Sequence, residues 1–344
     1  MTAENNYKDI TEKKKASKRK KLNIFLLCLL ALILILISCF FIMLKVGESK
    51  LRGSSKNNSA YLPTLDSEEI PEYADAYYNG EAYNYNDKLI NILLLGVDRD
   101  SKNELESHQA DVLYLISLDT DNKKVNVIPI SRNTLVDVDV HDIKGNLIST
   151  QNQQICLSFS YTNDSKLNSE NTANSVSRLL YGIPISGYYT VYMNSISEIV
   201  DAVGGVPVTL NEDLTSIDRN MKAGTTVTVT GKNALSFLQV RGESNAPRAE
   251  RQKAFAVSFV PKAKQACLKD LSLPIKMYNK LAKNTVTNVT AASAAYLASQ
   301  AIEAEFSFLD IEGTYGFDGK YETFEVDEDK LYDLVINKFY IEKN

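Results

Sequence analysis

The chain alternates between apolar runs and polar stretches, and the runs differ in length and period. Ile24 to Leu44 are 21 residues without a charge, and at ~1.5 Å per residue such a helix matches the ~30 Å hydrocarbon core of a bilayer. This predicts a transmembrane anchor over residues 23–45. Residues 46–86 are rich in Ser, Asn, Glu and Tyr with no sustained period, and they read as an extracytoplasmic stalk. From Asp87 the pattern changes to short runs rich in Ile, Leu and Val: Leu89 to Val97, Val112 to Leu118 and Lys124 to Ile130. These predict three strands, with Asp119 to Lys123 as a hairpin turn. If the first pair is also antiparallel, the end of strand one, the start of strand two and the end of strand three share one sheet edge. That edge gathers Asp98, Asp111 and Arg132.

Beyond a polar loop, the spacing predicts a helix over Asn171 to Tyr181, a strand over Tyr188 to Met193 and a helix over Ser195 to Val203, stopped by Gly204 and Gly205. Val206 to Leu210 is expected to resume the sheet. Helices follow at Gly231 to Val240 and from Ala246 to about Gln265, with Pro261 as a late kink or terminus. Ala-rich residues 291–305 form another, then a short polar segment leads to a last helix over Asp329 to Phe339. The alternation predicts an α/β fold: a layered α-β-α domain with a mixed central sheet, behind one N-terminal transmembrane helix. The domain spans 87–344, with a core over 89–265 and a helical C-terminal extension over 266–344.

Charge fixes the orientation. Residues 1–22 hold Lys8, Lys13, Lys14, Lys15, Lys18, Arg19, Lys20 and Lys21, so the positive-inside rule keeps this basic tail cytoplasmic and exports the rest. The run is longer than a signal-peptide core and no small-residue cleavage site follows it, which favours an uncleaved anchor. Leu36 to Cys39 resemble a lipoprotein box, but Phe40 to Leu44 continue the apolar run past the cysteine. Beyond residue 50 the chain carries 28 basic and 39 acidic side chains, a balance of −11, which argues against nucleic-acid binding. Cys156 and Cys267 have no metal-ligand spacing, and two separate small core residues are favoured over a disulfide. With His108 and His141 as the only histidines, a zinc site built from histidine is not expected.

Against that acidic background one segment stands apart. The chain has 9 Arg and 29 Lys, yet Arg241, Arg248 and Arg251 fall within eleven residues. In Ala246-Pro-Arg248-Ala-Glu-Arg251-Gln252, Pro247 suits a first helical position. The i, i+3, i+4 spacing then puts two guanidiniums and an amide on one face above a helix N-terminus, the shape of an anion site. An ordinary solvated helix face is the alternative. Two carboxylates beside Arg132 admit two readings as well, loop caps or ligands for Mg2+, which takes one or two carboxylates with substrate phosphates and water. Together these parts outline a phosphoryl-transfer site without a Walker motif or a Ser/His/Asp order.

Five segments in order resemble the LytR-CpsA-Psr proteins of Gram-positive cell envelopes: Asn91-Ile-Leu-Leu-Leu-Gly-Val-Asp98-Arg99, Ala110-Asp111-Val-Leu, Ile128-Pro-Ile-Ser-Arg132-Asn-Thr, Val200-Asp-Ala-Val-Gly-Gly-Val-Pro207, and Ala234 to Arg241 followed by Arg248-Ala-Glu-Arg251-Gln252. The resemblance implies a transferase that moves an anionic glycopolymer from a polyprenyl pyrophosphate carrier to peptidoglycan through a phosphodiester. By motif, Asp98 and Asp111 look like Mg2+ ligands. Arg99, Arg132, Arg241, Arg248, Arg251 and Gln252 look like pyrophosphate contacts, and Asp98 is also the candidate base toward the acceptor hydroxyl. The resemblance further implies an apolar tunnel for the polyprenyl chain. The pattern departs at Gln109, where an Arg is usual, at Asn133 for Asp, at Gln154 and Cys156 for a Lys-x-Asn stretch, at Glu243 for Arg and at Asn245 for Asp. Each lost charge-assisted hydrogen bond weakens phosphate binding by ~1.5–3 kcal/mol. A binding or scaffold protein for polyprenyl-linked glycans and a pyrophosphate hydrolase therefore stand as alternatives. A transcriptional regulator ranks last among the readings, because a cytoplasmic part of about 22 residues is too short for a DNA-binding domain.

Overall fold

The computed structural model describes residues 37–53, 70, 74–98, 108–240 and 246–343. The basic tail, Ile24 to Leu36 of the expected anchor, Arg99 and Arg241 lie outside the described residues. Helix α1, residues 37–53, continues the apolar run into the domain, where Leu51 is buried. Its Gly47 lies so near the backbone of Ala292 that an added Cβ would sit 2.3 Å from the Ala292 carbonyl oxygen. Ser293 Oγ donates to the Gly47 carbonyl at 3.2 Å. Among the described residues no helix is long and apolar enough to cross a membrane.

Six strands make the central sheet: β1 (Leu89–Val97), β2 (Ala110–Asp119), β3 (Lys124–Ile130), β4 (Gly187–Tyr192), β5 (Thr285–Thr287) and β6 (Glu305–Phe308). Their order is β5-β4-β1-β2-β3-β6. The pairs β1–β2 and β2–β3 are antiparallel, whereas β1–β4 and β3–β6 are parallel, so the sheet is mixed as the alternation predicts. Strand period 2 divides β1 between two cores. Leu93, Leu95 and Val97 pack under α2 (Ser165–Leu179), and Ile90 and Ile92 face the opposite core with Tyr296.

The remaining helices are α3 (Ile196–Ala202), α4 (Gly231–Gln239), α5 (Ala246–Lys269), α6 (Leu273–Leu281), α7 (Ala291–Glu303) and α8 (Glu328–Phe339). Leu331, Tyr332, Val335, Ile336 and Phe339 of α8 join α2 in the first core. Tyr296 of α7 lies in the opposite one, which completes an α-β-α arrangement. A third core binds α3, α4 and α5 through Val200, Phe237 and Phe255.

Three expectations need correction. Val206–Thr209 does not rejoin the sheet but pairs with Thr226–Val229 in a separate ribbon. The polar loop after β3 is a hairpin of Leu135–His141 with Leu147–Gln154, whose second strand is too polar to show alternation. Within the stretch read as a stalk, Ala76–Tyr78 and Glu81–Tyr85 form strands that pair onward to Tyr340–Glu342. Of the two readings for Pro261 the terminus is set aside, because α5 continues through it to Lys269, as a helix to about Gln265 requires; Val257, whose carbonyl loses its helical partner, is 45% exposed. Cys156 and Cys267 are free thiols.

Candidate functional site

A break in the β1–β2 ladder places the central carboxylate. Gly96 pairs with Val112 and Val97 with Ala110, which leaves Asp111 as an extra residue in a bulge. Ala110 and Leu113 consequently reach the same core although three positions separate them. Asp111 is freed from the alternation and turned toward two guanidiniums. Arg132 Nε lies 3.2 Å from one carboxylate oxygen, and Arg248 Nη2 donates to the other at 3.0 Å. All three side chains are largely buried, with exposures of 7%, 14% and 3% for Asp111, Arg132 and Arg248. Such a cluster is tolerated at low dielectric because each buried charge faces an opposite one.

Arg132 follows β3 directly, so the antiparallel β2–β3 register brings it back beside the start of β2. Its Nη2 donates to Gln109 Oε1 and reaches Cys156 Sγ at 3.4 Å. Burial works to lower the Arg132 pKa, but the adjacent Cys156 and Asp111 outweigh it and leave the guanidinium raised. Burial pushes the Cys156 thiol up, against the opposing pull of Arg132. Gln109 and Cys156 thus sit directly on the arginine.

The helix-start residues are arranged otherwise than as an open anion site. Arg251 Nε donates to the Phe237 carbonyl at 2.7 Å and its Nη2 to the Val240 carbonyl, while Nη1 pairs with Glu212. Gln252 Nε2 donates to the Leu238 carbonyl at 3.1 Å, and Arg248 Nε approaches the same oxygen at 3.4 Å. The carbonyls left over at the C-terminus of α4 are satisfied by side chains from the first turns of α5. Arg251, over the Phe237 ring at 5.9 Å, is a structural clamp in this arrangement, and Arg248 alone of the three reaches Asp111. The clamp was invisible in the spacing, because i, i+3, i+4 neighbours share a face whatever that face meets.

Asp98 lies just past β1, exposed, and accepts from Gln239 Nε2 at 3.0 Å. The end of α4 thus meets the chain one residue past Val97, whose strand partner is Ala110. Among the described residues no group of three His, Cys, Asp or Glu is placed to hold a metal. The donors present, one exposed carboxylate and one already facing two guanidiniums, do not make a protein-built cage. They fit a Mg2+ that brings phosphate oxygens and water with it.

Asp111, Arg132 and Arg248 line a cleft of about 190 Å³, with Glu250, Lys253 and Asp310 at its rim and Lys253 Nζ 2.6 Å from Asp310. Tyr315 and Phe324 close one side of it. Val112, Tyr114 and Gln252 separate this cleft from a second cavity of about 260 Å³ between β1, β2 and α5. No charged residue lines the second cavity, whose walls include Leu94, Ile116, Ile199, Phe255, Phe259 and Phe308. A charged cleft and an apolar slot sharing one wall suit an amphiphile with an anionic head.

The chain is an α/β domain with a mixed sheet and an acid set between two arginines at its strand ends. More narrowly, the chain belongs to the LytR_cpsA_psr family, whose model matches residues 49–337. It is 30% identical over 207 residues to the polyisoprenyl-teichoic acid–peptidoglycan teichoic acid transferase TagU of Bacillus cereus. That match covers 58% of this chain and 60% of the relative, so the chain spans less than two thirds of that protein's length. The fold matches the crystal structure of B. subtilis TagV with a TM-score of 0.57 and 22% identity, over 73% of this chain and 96% of that one. It also matches TagT bound to LI-WTA, with a TM-score of 0.56 and 18% identity over 81% and 99%.

Proposed function

We propose that the chain transfers an anionic glycopolymer from a polyprenyl pyrophosphate carrier to peptidoglycan, forming a phosphodiester on the outer face of the cell membrane. The observation that carries this reading is the shared wall of Val112, Tyr114 and Gln252 between the charged cleft and the apolar slot. A polyprenyl tail in the slot places its pyrophosphate against Arg132 and Arg248. The name of the B. cereus relative and the ligand of TagT support the same class of substrate. The apolar residues 24–44 and the basic tail support a single anchor with the domain outside.

In this reading a hydroxyl oxygen of peptidoglycan bonds to the phosphorus next to the polymer, and the bond from that phosphorus to the bridging oxygen breaks. Polyprenyl phosphate leaves with the bridging oxygen. Arg132 and Arg248 neutralise charge building on the phosphate oxygens, and Gln109 and Cys156 hold Arg132 in place. Asp98, exposed near the end of β1, takes the hydroxyl proton. Arg99 and Arg241 are further pyrophosphate contacts, and Gln252 joins them from the shared wall. Arg251 shapes this site by holding α4 to α5. Asp98 and Asp111 would hold Mg2+, which supplies Lewis-acid charge neutralisation when bound with the donor.

The test is transfer by the full chain in detergent, from a polyprenyl-pyrophosphate glycan to a peptidoglycan oligomer, with Mg2+ or with EDTA. Phosphodiester product that requires Mg2+ and is lost in Asp98→Ala and Arg132→Ala is expected. Free polymer phosphate would make the protein a hydrolase. Saturable donor binding with no product would make it a carrier-binding protein.

A further inference from the structure

The hairpin of Gly313–Phe317 with Glu322–Val326 stands beside the cleft and is not accounted for by the donor. Its register sets Tyr315 opposite Phe324, and their ring centroids lie 4.9 Å apart. Phe317 follows Tyr315 by two positions, so the three rings share one face, alternate side chains being ~7 Å apart along a strand. Exposure rises steadily along this face, from 7% at Phe324 in the cleft wall to 38% at Tyr315 and 72% at Phe317. Tyr321 at the turn adds a ring that is 52% exposed.

The hairpin is fastened where the site needs it. The Phe324 N–H donates to the Asn133 carbonyl at 2.9 Å, and Tyr315 Oη lies 3.4 Å from Ser131 Oγ. Asn133 Nδ2 donates to Glu322 Oε2 at 2.9 Å, and Gln154 Nε2 donates to the Glu322 carbonyl at 2.7 Å. Asn133 follows Arg132 directly, and Gln154 Nε2 also reaches Asn133 Oδ1 at 3.3 Å, so the aromatic face is fastened next to the arginine. A carboxylate at position 133 would repel Glu322, whereas the amide donates to it.

We propose that this aromatic face is the docking strip for the acceptor, a neutral glycan strand of N-acetylated hexosamines, guiding one hydroxyl toward Arg132. This rests on the transferase reading and adds the place where its second substrate binds. Flat rings accept the C–H faces of sugars, and exposed aromatic surface of this kind marks a binding site. Charge selects the occupant. The hairpin carries Asp318, Glu322 and Glu325 against Lys320 alone, which repels an anionic polymer or an anionic lipid surface and leaves acceptors for sugar hydroxyls. The strip is also continuous with the cleft, since Tyr315 and Phe324 line both.

The experiment measures binding of the full chain in detergent to chitohexaose, alongside binding of geranylgeranyl pyrophosphate as a donor probe. Phe317→Ala with Tyr321→Ala is expected to weaken chitohexaose binding about tenfold and to leave the donor probe unchanged. Phe317→Tyr should retain glycan binding, which separates loss of a ring from loss of the fold. In transfer assays the paired alanines should raise KM for the acceptor and leave kcat within about twofold. Wild-type protein that ignores chitohexaose, or alanine variants that bind it normally, would overturn the proposal. So would variants that lose binding only to phosphatidylglycerol vesicles. Glycan binding that needs the rings, in a protein that forms no phosphodiester, would keep the strip and remove the transferase.

Discussion

The charged cleft and the apolar slot share Val112, Tyr114 and Gln252, yet six charged residues line the first and none lines the second. Residue alternation does not explain the contrast, because the same side chains of β2 face both. Position along the strands does. The slot lies over strand middles such as Leu94 and Ile116, where the neighbours are other strands and apolar side chains of α3, α4 and α5. The cleft lies where β2 begins and β3 ends, so loop residues Ser131 and Arg132 and a helix start contribute. One wall therefore separates two solvents within about a residue's width, and this is what a lipid-linked phosphate demands.

The contrast can be broken most forcefully at the charged side. Arg132→Ala should lower transfer by about 10²–10³-fold, the loss typical of removing one preorganised donor to a developing oxyanion. Its melting temperature should move little, because Asp111 keeps Arg248, and calorimetry checks this. Arg251→Ala should act in the opposite sense. Its removal strands the carbonyls of Phe237 and Val240 and leaves Glu212 without its partner, at a cost of ~3 kcal/mol of stability read from denaturant unfolding. If Arg251→Ala instead kept full stability and lost donor binding, it would be a phosphate contact and the clamp assignment would fail.

The apolar side is sharpened by filling it. Ala256→Trp projects a large ring into the slot and should reduce use of a long polyprenyl donor about tenfold while sparing a short one. Equal loss with both donors would place the tail elsewhere. The smallest effect is expected at the hairpin. Asn133→Asp sets two carboxylates against each other at Glu322 and should cost ~1 kcal/mol, visible as faster amide exchange over Gly313–Val326.

Much of this was legible from the chain. Three Ile/Leu/Val-rich runs located β1, β2 and β3, and antiparallel geometry alone brought Asp111 and Arg132 together, where the structure has them 3.2 Å apart. The same argument drew in Asp98, which follows Val97, the partner of Ala110, and which also accepts from Gln239, a contact that strand pairing could not show. The arginine-rich helix start was conspicuous, but spacing cannot say what a helix face meets, and most of this one meets the end of α4. Least visible was the hairpin at 313–326, read as a short polar segment. Its glycines, threonines and acids mask the alternation of Tyr315 and Phe317. Asn133 and Gln154 read as lost charges beside a phosphate, and they are the amides that hold that hairpin.

The extra residue in β2 has a consequence for how this protein tolerates insertions and deletions. A regular pleat would send Ala110 outward and draw the next side chain into the core, so the bulge keeps two frames of one strand in phase around a single acid. Removing Asp111 would restore a continuous ladder. The shortened strand would fold, yet Arg132 and Arg248 would face each other across an empty seat. Length variation in this lineage is therefore expected in the turns and never at this point of the strand.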